Sequence, residues 1–398
     1  MFKILILSYR FNQSEHIGAK RWFNLSKYLS KYAEVDIITS SNVSKPSWVN
    51  NLFYLKSNYP EILNKIPENL YEKFLYKIFL LKQLIFFRGS PYDKGKNNLK
   101  SLQNLIFSIC KKKSYNVIIS SGAPFSWLLV APFLKKNNFI FNSTKIVSDI
   151  RDPWTWSSNY GMDIISEKRK IYEIEKERYV VENSDLVFIP QISMFTHLNN
   201  SYKTNNFVHL PHGYDESKIN SVIKNNTKIK SQKIKFIYGG NWYEGNNKII
   251  ANLIKRFKEN NLSIDIEIYT TFQNKNIPKS YSENQIDLAF KNFISEESLF
   301  HKIFNSNFYL LIMPPLFSSF LSAKFFEICS LRIPIIYIGE KGAISDFIKK
   351  HNIGFHLSLE NFNDNFLVHE YSTINNEVLN QYSFENLSTF ILEKLHSN

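Results

Sequence analysis

Two ionisable side chains three positions apart, Lys324 and Glu327, sit in the stretch S-A-K-F-F-E-I-C-S-L-R-I-P-I-I at 322–336. That spacing places both on one helix face, close to the N-terminal end. A cation beside free backbone N–H groups suits a phosphate, and a carboxylate there suits the hydroxyls of a sugar. A plain surface ion pair uses the same spacing, and the motif alone does not separate the two.

A second cluster, D-I-R-D-P-W at 149–154, follows the apolar run Lys145–Ser148. Asp149, Arg151, Asp152 and Trp154 are thereby concentrated at a strand's carboxyl end, where open α/β sheets bind ligands. Pro153 keeps Asp152 out of a helix. An Asp149–Arg151 pair acting only as a structural lock is the competing reading. Glycines mark two more strand ends. Gly18 stands beside Lys20 and Arg21, and Gly239–Gly240 precedes Asn241. At either place a phosphate could approach the backbone, although a lone glycine is also an ordinary turn residue.

Other chemistries lack their signatures. The chain has no H-E-x-x-H, no paired cysteines and no Asp-x-Asp triplet for a divalent cation. It also lacks a G-x-S-x-G nucleophile elbow, a P-loop and a G-x-G-x-x-G turn.

The elements that must position these residues alternate. Lys3–Leu7 and Val35–Thr39 read as strands flanking a helix with Trp22, Leu25, Leu29 and Tyr32 on one face. Strands follow at Val117–Ser120, Lys145–Ser148, Leu186–Pro190 and Val208–Leu210, with a charged helix at Ser166–Glu182 whose Glu/Lys/Arg alternation suggests a solvated face. The last strand runs into P-H-G-Y-D, and polar residues Glu216–Lys233 read as a hinge. The pattern restarts at Ile234–Tyr238 and continues through Ile264–Tyr269, Phe290–Phe293, Phe308–Met313 and Pro334–Ile338. A C-terminal helix is expected from Glu385 to Leu395. The fold class is therefore α/β, with two Rossmann-like parallel-sheet domains. Boundaries are expected at 1–215, a hinge at 216–233, a second domain at 234–384, and a helix at 385–398 that packs back on the first domain.

At 398 residues the chain is long enough for two domains of about 100–200 residues each. Its 44% hydrophobic and 21% charged content is ordinary for a globular protein. The net charge of +14 points to nucleotide phosphates, an anionic membrane surface or nucleic acid. Nucleic acid is disfavoured, because no zinc cluster, RNA-recognition signature or Arg-rich arm appears. Cys110 and Cys329 lie in apolar runs, as buried thiols in a reducing compartment do. No signal-peptide core or membrane-spanning run is evident, so a cytoplasmic protein is expected. Helical stretches Leu70–Phe87 and Asn98–Lys113 interleave Lys73, Lys77 and Lys82 with aromatic and aliphatic residues. Such a basic, amphipathic surface suits anionic lipid, though a core-facing helix with solvated lysines is the plainer reading.

Taken in order, S-G-A-P-F-S at 121–126, D-I-R-D-P-W at 149–154, P-H-G-Y-D at 211–215, Y-G-G-N at 238–241 and the 322–336 stretch resemble the GT-B fold glycosyltransferases, particularly the family 4 retaining enzymes of bacterial surface-polysaccharide synthesis. The resemblance covers most of the chain. It implies two domains facing across a cleft, and transfer of a sugar from a nucleotide-diphosphate donor to a hydroxyl of a glycan or lipid-linked glycan. The activity would be of the hexosyltransferase type, without metal or cofactor. The protein would be cytoplasmic, on the inner face of the plasma membrane. Donor-binding roles fall to Gly18, Gly240, Asn241, Ser322, Lys324 and Glu327. Glu327 matches the second carboxylate of the family's E-x7-E motif, on the ribose, and Lys324 the basic residue on the diphosphate. Arg151, Asp152 and Lys324 would be catalytic, and Arg21, Trp154 and His212 would line the acceptor side. Two departures bear on the sugar: Ser319 occupies the place of the first carboxylate, and Asn241 that of an arginine common in relatives. A sugar-nucleotide epimerase, a phosphorylase or a non-catalytic membrane-associated binding protein are the alternative functions.

Overall fold

The computed structural model describes residues 1–12, 17–156, 158–224, 232–243, 245–271, 280–283, 285–358, 364–367, 369–372 and 374–397. Contacts divide the chain into two units, Met1–Pro211 together with Leu387–Asn398, and His212–Asn386.

The first unit is built on seven parallel strands: β1 (Phe2–Ser8), β2 (Ala33–Thr39), β3 (Asn51–Tyr54), β4 (Val117–Gly122), β5 (Lys145–Ile150), β6 (Leu186–Ile189) and β7 (Phe207–His209), in the order β3-β2-β1-β4-β5-β6-β7. Continuous apolar runs such as Ile4–Leu7, wholly buried, are what a parallel sheet covered on both faces requires. The helices of this unit are α1 (Ile17–Leu29), α2 (Leu70–Phe86), α3 (Leu99–Cys110), α4 (Val130–Lys136), α5 (Glu167–Glu182) and α6 (Ile192–Tyr202).

The second unit starts with α7 (Glu216–Lys224). It continues through β8 (Ile234–Gly239), α8 (Asn246–Glu259), β9 (Ile264–Thr270), β10 (Tyr281–Glu283), β11 (Ile286–Asn292), α9 (Glu296–Phe304), β12 (Phe308–Ile312), α10 (Ala323–Ser330), β13 (Ile335–Ile338), α11 (Ala343–His351), β14 (Gly354–His356) and α12 (Asn376–Asn380). Its sheet runs β10-β11-β9-β8-β12-β13-β14, parallel except for the β10–β11 pair. Strand order reverses beside the first strand of each sheet, between β1 and β4 and between β8 and β12. Those two reversals are where open α/β sheets leave a crevice.

Helix α13 (Phe384–His396) brings the chain back to the first unit. Ser388 Oγ donates to the Leu25 carbonyl at 3.2 Å, Lys145 Nζ donates to those of Leu395 and Ser397, both at 2.9 Å, and the rings of His396 and Phe2 meet at 4.8 Å.

Several elements differ from the sequence expectation. The expected hinge is a helix over Glu216–Lys224, because Ile219 and Val222, three apart, bury themselves in the second core. Residues 225–231 of the expected hinge lie outside the described residues. Helix α5 is solvated on one face, at Glu167, Ile171, Ile174, Arg178 and Glu182, and buried on the other. Glu173, Lys176 and Glu177 are all on the buried side, Glu173 pairing with Lys176 at 3.0 Å and Glu177 accepting from the Thr155 hydroxyl at 3.1 Å. Tyr32 is 59% exposed because α1 ends at Leu29. Short strands β3, β10 and β14 and helix α6 carry too few periodic apolar residues to stand out in sequence.

Candidate functional site

In the second unit, β8 delivers Gly239 and Gly240 to the reversal between β8 and β12. Gly240 has φ +149°, a conformation that favours glycine, and its N–H donates to the Tyr269 carbonyl at 3.0 Å. From the other side comes α10. Ser322 caps it, its hydroxyl accepting from the Phe325 N–H at 3.2 Å. Phe325, Ile328 and Cys329 are buried as their i, i+3, i+4 spacing requires, so Lys324 is turned off the core face. Its Nζ donates to the Gly239 carbonyl, which also accepts the Tyr309 hydroxyl at 3.0 Å. A Cβ on Gly240 would sit 2.8 Å from that Nζ. The ammonium, the glycine backbone and the N-terminus of α10 thus meet at one strand end.

Glu327 follows one turn later, half-buried. Burial pushes the Tyr309 hydroxyl up, and the charge of Glu327 adds to that shift, which places the carboxylate within electrostatic reach of the same cluster. Asn241 is exposed, its carbonyl accepting from the Tyr238 hydroxyl at 2.5 Å. Ser319 is exposed in the turn that follows β12. One member that the sequence gives no reason to single out is Thr270. Its Oγ1 is buried at the end of β9 with no hydrogen-bond partner among the described residues, beside the strand end where Gly240 turns off. His212, half-buried, begins this unit.

In the first unit, Gly18 lies in the opening turn of α1. Arg151 Nη1 donates to the Gly18 carbonyl, and a Cβ on Gly18 would come within 2.8 Å of that nitrogen. Arg151 Nε also donates to Asp152 at 3.2 Å, and the Asp152 side chain is 56% exposed. Gly18, Arg151 and Asp152 therefore form one group at the end of β5. Asp149 does not pair with Arg151. It accepts from Arg21 Nε and Nη2, both at 3.3 Å, from Trp22 Nε1 at 2.7 Å and from Ser121 Oγ at 3.0 Å.

Two acceptor-side residues are instead internal. Arg21 is 3% exposed, and its guanidinium is spent on Asp149 and on the carbonyls of Leu210 and Pro211, both at 2.8 Å. Trp154 is fully buried, stacked on Phe125 at 4.6 Å with its indole N–H donating to Glu173 at 3.0 Å. A buried bidentate arginine and a stacked indole hold the loop that carries Asp152; neither is open to a substrate. Below them, Glu173 pairs with Lys176 at 3.0 Å, and Lys176 lies 3.5 Å from Asp93. Burial alone would raise the Asp93 carboxyl, but Lys176 and Lys96 hold it below its ordinary value.

Among the described residues, no group of three or more His, Cys, Asp or Glu side chains is placed to hold a metal ion.

No protein-family model and no curated protein matches the chain in sequence. Its fold does match solved structures end to end. A glycosyltransferase from Rickettsia africae aligns with TM-score 0.56 at 12% identity, over 99% of this chain and 97% of that one. A trehalose-6-phosphate structure from E. coli, bound with UDP-2-fluoro glucose, aligns with TM-score 0.63 at 10% identity, over 100% and 99%. An alpha,alpha-trehalose-phosphate synthase (UDP-forming) from Burkholderia vietnamiensis gives 0.59 at 8% identity, over the whole of both chains. The chain is similar to these proteins in fold, which is GT-B.

Proposed function

We propose that the chain is a glycosyltransferase that moves a sugar from a nucleotide-diphosphate donor to a hydroxyl of a glycan or lipid-linked glycan in surface-polysaccharide synthesis. The observation that carries this reading is the meeting of Lys324, Gly239–Gly240 and the α10 N-terminus at the β8/β12 reversal, with Glu327 one turn along. The fold shared with proteins whose structures are described with UDP-sugar or as UDP-forming supports it.

In this reading the reaction is retaining and needs no metal. As the bond from the anomeric carbon to the diphosphate breaks, charge grows on the phosphate oxygens. Lys324, the N-terminal dipole of α10 and the backbone beside Gly240 take it up, in positions fixed before the reaction. Glu327 accepts from the ribose hydroxyls. Asn241 and Ser322 are assigned to the donor as well, Ser322 through the turn it caps. The acceptor hydroxyl adds to the face that the diphosphate leaves, and its proton passes to the departing phosphate. Gly18 keeps its assignment to the donor, while Arg151 and Asp152 are the groups assigned to the acceptor; of these two Asp152 is the more open.

A thermal-shift series with UDP-, GDP-, dTDP- and ADP-sugars tests the donor. One nucleotide should raise Tm in a concentration-dependent way, since stabilisation grows as RT ln(1 + [L]/Kd). The same radiolabelled donor should then pass its sugar to a lipid-linked acceptor. Stabilisation by none of the four, in folded protein, would overturn the reading.

A further inference from the structure

Helix α2 presents an apolar surface outward, and we propose that it docks in the plane of an anionic lipid bilayer. Of its 17 residues only Gln83 is buried. Leu70, Phe74, Leu81 and Ile85, spaced along one face, are 84%, 61%, 56% and 66% exposed, and Ile66 and Phe86 at the two ends are more exposed than most of them. An ordinary surface helix does the reverse. Helix α3 shows it, burying Leu102, Ile106, Ile109 and Cys110. The basic stretches at 70–113 thus part company: α3 is a core helix, and α2 alone carries the outward face.

The stripe is not a frayed end, because both termini of α2 are tied down. Asn69 Oδ1 accepts from the Glu72 N–H at 2.8 Å, and Glu72 in turn accepts from the Glu68 N–H at 2.8 Å. At the other end, Arg169 of α5 donates to the carbonyls of Phe87 at 3.0 Å, Gly89 at 2.7 Å and Leu84. The fold therefore holds an apolar face in water in a defined orientation.

Charge selects the occupant. Lys73 and Lys82 lie to either side of the stripe and Lys77 within it, all exposed, whereas the one acid of the helix, Glu72, is turned to the capping bond. Leucine, isoleucine and phenylalanine outward, with Lys73 and Lys82 at the margins and Lys77 long enough to lift its ammonium to the headgroups, is the arrangement of a helix lying at the headgroup boundary of acidic lipid. A second copy fits poorly, since two-fold pairing would set three lysines against three with no exposed helix carboxylate between them. Nor does the helix cross: no helix among the described residues is long and apolar enough to span a membrane.

Flotation of the full chain with vesicles tests this without any sugar nucleotide, so its outcome is independent of the proposed transfer reaction. Vesicles of phosphatidylcholine with about one-third phosphatidylglycerol should carry the protein up, and pure phosphatidylcholine should not. Leu81→Asp with Ile85→Asp should reduce the anionic-vesicle partition by about tenfold or more, with Tm unchanged because both side chains are exposed. Lys73→Gln, Lys77→Gln and Lys82→Gln together should reduce it by about a hundredfold at low salt, and raised salt should do the same to the wild type. Phe74→Trp should report a blue-shifted emission only with anionic vesicles. No flotation at low salt, or flotation untouched by the aspartate pair, overturns the proposal. So does a lipid-free dimer that the aspartate pair abolishes in protein that does not float.

Discussion

Lys324 holds a neutral carbonyl, that of Gly239, and a diphosphate is the stronger partner for an ammonium. Lys324→Ala should lower turnover by about tenfold to a thousandfold, the scale of one preorganised charge contact, and shrink the nucleotide-induced Tm rise while leaving the protein folded. Gly240→Ala imposes a side chain at φ +149° and 2.8 Å from Nζ. It should cost on the order of 1 kcal/mol in stability and weaken nucleotide binding well beyond that, read by calorimetric titration. Asp149→Ala is of another kind. It strands a buried guanidinium and should cost about 3–5 kcal/mol in thermal or denaturant unfolding, with no specific effect on nucleotide affinity. Lys324 and Glu327 were legible in sequence because their relation is local, one turn of one helix. The fate of Arg21 was not, for its partner Asp149 is 128 positions away and only the folded sheet brings them together.

At the scale of elements, α5 shows how a charge pattern misleads. Alternating Glu, Lys and Arg is solvated on one face only, and on the other the helix is where loops 88–98 and 151–160 are fastened, through Glu173, Lys176 and Glu177. Periodicity reports charge, and burial depends on which other charges arrive. Burial pushes the Glu177 carboxyl up to about 7, against hydrogen bonds from Tyr202 and Thr155 that pull it down. The folded state therefore keeps this proton to a higher pH than the unfolded chain, whose carboxyl has its ordinary value near 4.5. That contribution is complete at pH below the ordinary value and fades as pH rises through about 7, worth about 3 kcal/mol in all. Tm of the wild type should fall across that window more steeply than Tm of Glu177→Gln, whose amide carries no titrating proton. Equal slopes would remove Glu177 from the account. The main strands were readable as unbroken apolar runs; β3 and β14, at four and three residues, were too short to announce themselves.

The whole molecule repeats one design twice, and the repeat was visible from the restart at Ile234. Which residues close each unit was not. The second unit is one unbroken segment, His212–Asn386, whereas the first needs Leu387–Asn398 from the far end of the chain. A protein consisting of residues 212–386 should fold alone and keep the nucleotide-induced Tm rise. One ending at residue 386 should lose Leu387, Ile391 and Leu395 from the first unit and melt earlier or aggregate, its second unit unaffected, as two-probe unfolding would show. Return of α13 to Leu25 and Lys145 also orders events on the ribosome. Synthesis runs from the N-terminus at about 5–20 residues per second, so the first unit waits on the order of ten seconds or more for its final helix. The second unit, though encoded later, is the first that can be finished, and the nascent first unit is the one with most need of a chaperone.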